Sequence, residues 1–151
     1  MRKRRQGTSA VRATVEAEAF SEALRPFGLI CSSPALVVLK YIFGVSDRAL
    51  AAALRVTEMQ TGNYIRGLST VPEEREALAV EALRRALAVS RDVLKATDPT
   101  SVVSAVPPFA RLDISLMRTK RRVDQRAAYR VLAAKIAAGE MVLAAYDKKA
   151  S

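Results

Sequence analysis

From residue 10 to residue 95, apolar side chains return every three or four positions, the period of a helix with one face turned to a core. Between Ala10 and about Leu24 the recurring positions are Val11, Val15, Ala19, Phe20 and Ala23 or Leu24, with Arg12, Glu16, Glu18 and Glu22 outward. Arg25-Pro26-Phe27-Gly28 closes that helix, and Ser33-Pro34 opens the next. Ser caps a helix N-terminus well, and Pro suits the first helical position because its missing N–H would have no partner there. The second helix is predicted to run to Phe43 through Ala35, Leu36, Val38, Leu39 and Ile42. Its β-branched content leaves a strand from Leu36 to Ile42 as the alternative.

Two shorter patterns follow. Asp47 is placed to cap a helix with Leu50, Ala51 and Leu54 inward, and Thr57 to cap another that runs to Arg66. Val56 lies in the turn, and Ala51 is small where two helices cross closely. Beyond Gly67 and a loop to Pro72, Glu73, Glu74 and Glu76 crowd the first turn of a long helix, where acids suit the positive end of the dipole. That helix is predicted to end at Lys95, with Leu78, Val80, Leu83, Leu87, Val93 and Leu94 inward and Arg75, Glu81, Arg84, Arg85, Arg91 and Asp92 outward. The pattern breaks over 97–110, read as a linker. In the segment 111–151, Val123, Ala127, Val131, Ala134 and Ile136 mark another helix, which Gly139 is expected to end or bend, with Met141 to Tyr146 adding a turn or two. The expected fold class is all-α: a compact helical domain over 10–96, a disordered basic arm over 1–9 before it, and the linker and basic helical segment after it.

The stretch from Asp47 to Gly67 resembles the Xre family of lambda-repressor-like (Cro/cI-type) helix-turn-helix proteins. Leu50-Ala51, Leu54, Val56-Thr57, Tyr64 and Gly67 fall where that family carries Leu-Ala, Leu, Val-Ser, an aromatic and a Gly, and Pro72 stands at the usual distance beyond. The likeness spans about Pro34 to Glu74. Two positions depart from the pattern. Arg55 stands where the turn usually carries Gly, and a left-handed backbone there costs an Arg roughly 1 kcal/mol relative to Gly. Thr61 stands where the second helix usually buries Ile or Val, so its hydroxyl needs a partner or must bond back to the preceding turn.

The resemblance implies that the helix from Thr57 to Arg66 lies in the major groove of double-stranded DNA. Gln60 is then the first candidate for base reading, since a carboxamide pairs with adenine through two hydrogen bonds. Asn63, one turn on, is a second; Met59 offers an apolar contact to a thymine methyl, and Glu58 an acceptor for cytosine. Thr57, Arg48 and Arg66 are candidates for the DNA backbone. A single such motif holds a short half-site, which implies a homodimer whose contact comes from Leu83, Leu87 and Leu94 or from Val131, Ile136 and Tyr146. The function implied is a transcriptional regulator of the phage- or plasmid-repressor kind. The alternatives are a DNA packaging or assembly factor resembling a small terminase subunit, and a basic helical adaptor that binds nucleic acid without sequence preference.

Charge sharpens this picture. The 151 residues carry 25 Lys and Arg against 15 Asp and Glu, a formal net charge of +10, which calls for an anionic partner. Arg2, Lys3, Arg4 and Arg5 form an arm suited to phosphates or a narrow minor groove. Residues 111–151 hold 10 basic against 4 acidic side chains, and Arg121 and Arg122 are further backbone candidates. With no His and the single Cys31, Cys/His metal sites and imidazole catalysis are outside the inventory, so no metal, no cofactor and no enzymatic activity are expected. One unpaired thiol fits a reducing cytoplasm, with Cys31 as a small core residue. No apolar run is long enough to span a membrane and no targeting signal is evident, so no membrane partner is expected.

Overall fold

In a computed structural model that describes residues 15–27, 30–95 and 122–150, every described element is helical and no strand occurs among the described residues. Helix α1 covers 15–27. It buries Ala17 and half-buries Phe20 and Leu24, while Val15 is 57% exposed and Ala19 is exposed as well. The inward face is therefore rotated from the expected one, because a stripe at 17, 20 and 24 brings the small Ala17 to the point of closest approach.

Helix α2 (Pro34–Val37) begins as the sequence suggests, with the Ser33 hydroxyl accepting the Leu36 N–H at 3.2 Å. It continues without a break into a π-helical turn over Val38–Ile42, closed by Phe43 N–H donating to the Val38 carbonyl at 3.1 Å. The strand alternative is not what forms. Ala35 to Leu39, Ile42 and Phe43 are all buried and only Lys40 and Tyr41 emerge, so this helix is apolar nearly all round and forms the centre of the core.

Helices α3 (Asp47–Leu54) and α4 (Glu58–Ile65) follow, then α5 (Glu73–Lys95) and α6 (Arg122–Ala150). The cap of α3 differs from expectation by one residue. Ser46, in extended conformation, accepts the Ala49 N–H at 3.2 Å, while Asp47 is the first helical residue and pairs with the Lys40 ammonium. A carboxylate there still faces the positive end of the dipole, and Lys40 gives it a better partner than a backbone amide.

The expected linker, 97–110, lies outside the described residues, as does the arm over 1–9 with Arg2, Lys3, Arg4 and Arg5. Helix α6 packs into the same core as α5 and α2. Ion pairs Arg84 with Asp147 and Arg91 with Glu140 show α5 and α6 running antiparallel, and they also engage two of the arginines expected on the outer face. Buried Ala79, Ala82, Ala86 and Ser90 form a stripe of small residues along α5, and Ala82 lies beside Ala52 and Ala53 of α3. Gly139 does not end α6, which continues to Ala150. An added Cβ there would lie 2.8 Å from Leu87 Cδ2 and 3.3 Å from Phe43 Cε2, so this glycine serves close helix contact. Of the residues expected at a dimer contact, Leu83, Leu87 and Ile136 are buried and Tyr146 is half-buried inside the chain, whereas Leu94 and Val131 are 36% and 43% exposed.

Near the end of α6, the Tyr146 hydroxyl accepts the Ala35 N–H at 3.1 Å and donates to Glu76 Oε1. It thereby satisfies an N-terminal amide of α2 that no intrahelical carbonyl reaches. Glu76 Oε2 is buried with no hydrogen-bond partner among the described residues, so the Tyr146 contact is the one bond this carboxylate holds. Burial, reinforced by Glu76, pushes the Tyr146 phenol well above its ordinary 10.0. Tyr146→Phe is therefore expected to cost about 1–3 kcal/mol of unfolding free energy, read from urea melts at neutral pH. Because the folded state holds the phenolic proton more tightly, that advantage is constant below about pH 10 and falls as pH rises above it, whereas the Phe variant lacks this slope. Equal melts at pH 7, or parallel pH profiles, contradict this assignment.

Candidate nucleic-acid interface

The pair α3 and α4 is joined by Arg55, Val56 and Thr57. At the end of α3, Val56 N–H donates to the Ala51 carbonyl at 3.0 Å and Arg55 N–H to the Ala52 carbonyl at 3.3 Å. This is a Schellman motif, which requires a left-handed residue, and Arg55 supplies it with φ 59° and ψ 42°. Among the described residues no other non-glycine has positive φ. The helix thus stops where the family pattern places a glycine, with a residue that tolerates the conformation at a cost. Arg55 is exposed and has no ion pair among the described residues, and the pattern reading had not counted it among the candidate cations.

Thr57 then starts α4. Its hydroxyl accepts the Gln60 N–H at 3.1 Å, as its sequence position predicted, and the cap leaves the hydroxyl proton free to donate outward. Thr61 is fully buried and donates to the Thr57 carbonyl at 3.1 Å, so its hydroxyl bonds back to the preceding turn. Tyr64 and Ile65 are buried beside it, and Leu50, Ala51 and Leu54 face them from α3. A second Schellman motif closes α4, with Leu68 N–H on the Asn63 carbonyl at 2.9 Å and Gly67 N–H on the Tyr64 carbonyl at 3.2 Å. Gly67 has φ 76°, and an added Cβ would fall 2.4 Å from the Ile30 carbonyl oxygen, so both conformation and space demand glycine.

The opposite face of α4 is open. Thr57, Glu58, Met59 and Arg66 are exposed, and Gln60 and Asn63 are half-buried. Met59 is 75% exposed, the most exposed large apolar side chain among the described residues, and Leu68 just past the helix is 71% exposed. The Gln60 carboxamide has no hydrogen-bond partner among the described residues. Glu58 occupies the first turn of α4, where its charge suits the helix dipole. Arg66 Nη2 donates to Asn63 Oδ1 at 3.1 Å. Arg48, near the start of α3, is exposed. Asp47, the one acid of α3, is held by Lys40, and Arg55 lines a cleft with Glu81 and Arg85 of α5.

The remaining candidates lie elsewhere. Arg121 is outside the described residues and Arg122 begins α6, away in sequence from this surface. Arg85 pairs with Glu81 on α5. Cys31 is 1% exposed, its thiol donates to the Ser33 carbonyl, and burial pushes its pKa up, as befits a core residue. Among the described residues no group of three or more Cys, Asp or Glu side chains is placed to hold a metal ion, and no helix is long and apolar enough to cross a membrane.

Comparison with protein-family models, with curated proteins and with solved structures returns no match.

Two substitutions test the geometry of the turn. Arg55→Gly is expected to raise unfolding free energy by about 1 kcal/mol, since Gly adopts the left-handed conformation without the Cβ clash. Thr57→Ala is expected to lower it by about 1 kcal/mol through loss of the cap. Chemical denaturation with both variants reads the two signs directly, and destabilisation by Arg55→Gly would contradict the strained turn.

Proposed function

We propose that this chain is a sequence-specific DNA-binding regulator of the repressor type, a helix-turn-helix protein that reads the major groove with the helix from Thr57 to Arg66. The observation that carries the reading is the division of α4 into two faces. Thr61, Tyr64 and Ile65 are buried, whereas the opposite face carries an exposed Met59 and a half-buried Gln60 whose carboxamide has no partner among the described residues, which folding alone does not call for. In this reading Gln60 pairs with adenine, Met59 meets a thymine methyl, and Thr57, Arg48 and Arg66 hold phosphates on either side. The net charge of +10 draws the chain to DNA and makes affinity fall steeply with salt. Two copies bind adjacent half-sites as a homodimer, in the cytoplasm, through a surface other than the buried α5 and α6 residues.

The test is selection of duplexes from a randomised pool, followed by fluorescence anisotropy on the selected and a scrambled duplex at fixed salt. A preference of at least about a hundredfold is expected. Gln60→Ala is expected to cost about 1–3 kcal/mol on the selected duplex and little on the scrambled one. Equal binding to both duplexes would overturn the regulator reading in favour of a basic adaptor.

A further inference from the structure

Asn63 and Arg66 stand three residues apart on α4, the spacing that puts two side chains on one face. The Arg66 guanidinium does not extend freely into solvent. It turns back along the helix, donating from Nη2 to Asn63 Oδ1 at 3.1 Å, and its Nη2 and Cζ lie 3.6 Å and 3.9 Å from where a Cβ on Gly62 would stand. The guanidinium thus lies over Gly62 at a distance where even a Cβ would make only ordinary van der Waals contact. The pairing changes what Asn63 can offer. Adenine presents one acceptor and one donor in the major groove, so an Asn that reads it needs its own oxygen free to accept. Here one of that oxygen's two lone pairs accepts from a cationic donor, and the adjacent charge repels the adenine amino group. What remains outward is dominated by the Asn63 NH₂ and the unused N–H groups of Arg66, a surface mostly of donors. Such a surface matches groups that only accept: phosphate oxygens, or the O6 and N7 of guanine. Arg66 is the C-terminal cap of α4, and the helix in such motifs touches base edges with its N-terminal residues, so phosphate is the acceptor within reach.

We infer that Asn63 is a positioning residue that holds the Arg66 guanidinium over Gly62 and aims it at a backbone phosphate, leaving Gln60 as the carboxamide of α4 that reads a base. This rests on the DNA-reading proposal and divides its candidate residues into one reader and one clamp. The clamp contributes affinity without sequence information; the reader contributes discrimination.

The experiment uses the full chain on the selected duplex and on duplexes with each base pair replaced in turn, over a salt series. The proteins are wild type, Asn63→Ala, Arg66→Ala, the double variant and Gln60→Ala, each checked for wild-type helicity. Asn63→Ala is expected to weaken binding by about fivefold on every duplex alike. Arg66→Ala should lower the slope of log affinity against log salt by about one. The double variant should bind no more weakly than Arg66→Ala alone, since positioning has no value once the guanidinium is gone. Gln60→Ala should instead flatten the response at a single A·T pair. The inference is overturned if Asn63→Ala abolishes discrimination at one base pair, if Arg66→Ala abolishes it at a guanine, or if the two losses simply add. A wild-type chain that binds all the duplexes equally removes the DNA-reading proposal, and this inference with it.

Discussion

The arrangement of the helices depends on a close approach of α6 to its neighbours at Gly139. With no side chain there, Leu87 of α5 and Phe43 at the end of the π-helical turn both reach the α6 backbone. Phe43 is 1% exposed, as is Leu50 of α3, and α3 packs on both that turn and α5. The chain of contact thus runs from α6 through Phe43 to α3 and onward to α4. The Tyr146 hydroxyl adds direction to this apolar contact, because a bond to Ala35 and another to Glu76 fix how α6 lies against α2 and α5. Apolar burial supplies most of the driving force, and these polar links select one arrangement of it.

On this base α4 is held as a stiff element. Its start is capped by Thr57, its end is closed by a Schellman turn at Gly67, and its inner side is buried through Thr61, Tyr64 and Ile65. Rigidity of this kind matters for base reading, which loses its discrimination when a side chain can relax away from the wrong base. The two departures from the family pattern are both accommodated locally. Arg55 takes the left-handed conformation that Gly would take, and Thr61 returns its hydroxyl to the carbonyl of Thr57. Neither disturbs the outward face, where Met59, Gln60 and the Asn63–Arg66 pair remain presented.

What could be read from the sequence was local. Ser33 and Thr57 announce helix starts because capping involves only neighbours a few residues on, and the acids Glu73, Glu74 and Glu76 mark the start of α5 for the same reason. The left-handed turn at Arg55 and the burial of Thr61 were legible only through the resemblance, which implies a Gly at the one position and a buried apolar residue at the other. The position of α6 was not legible. A glycine within a helical pattern reads as a break, and only the distant Leu87 and Phe43 show that it serves contact. Leu83, Leu87, Ile136 and Tyr146, four of the six residues expected at a dimer contact, pack within the chain, and an apolar stripe does not announce whether its partner belongs to its own chain. Nor does spacing distinguish Ser46 from Asp47 as the cap of α3, a choice that depends on Lys40 drawing the carboxylate away. The Asn63–Arg66 bond also depends on side-chain conformation, which periodicity does not encode.

The central claim is that α4 reads base edges in the major groove through Gln60. It is tested most directly by replacing each adenine of a selected duplex in turn with 7-deazaadenine, which removes the N7 acceptor while preserving base pairing. Binding of the wild-type chain and of Gln60→Ala is then compared by anisotropy. The account predicts one adenine at which the replacement weakens wild-type binding by about tenfold, and at which it has no effect on Gln60→Ala. Uniform binding by the wild-type chain to every substituted duplex would contradict it.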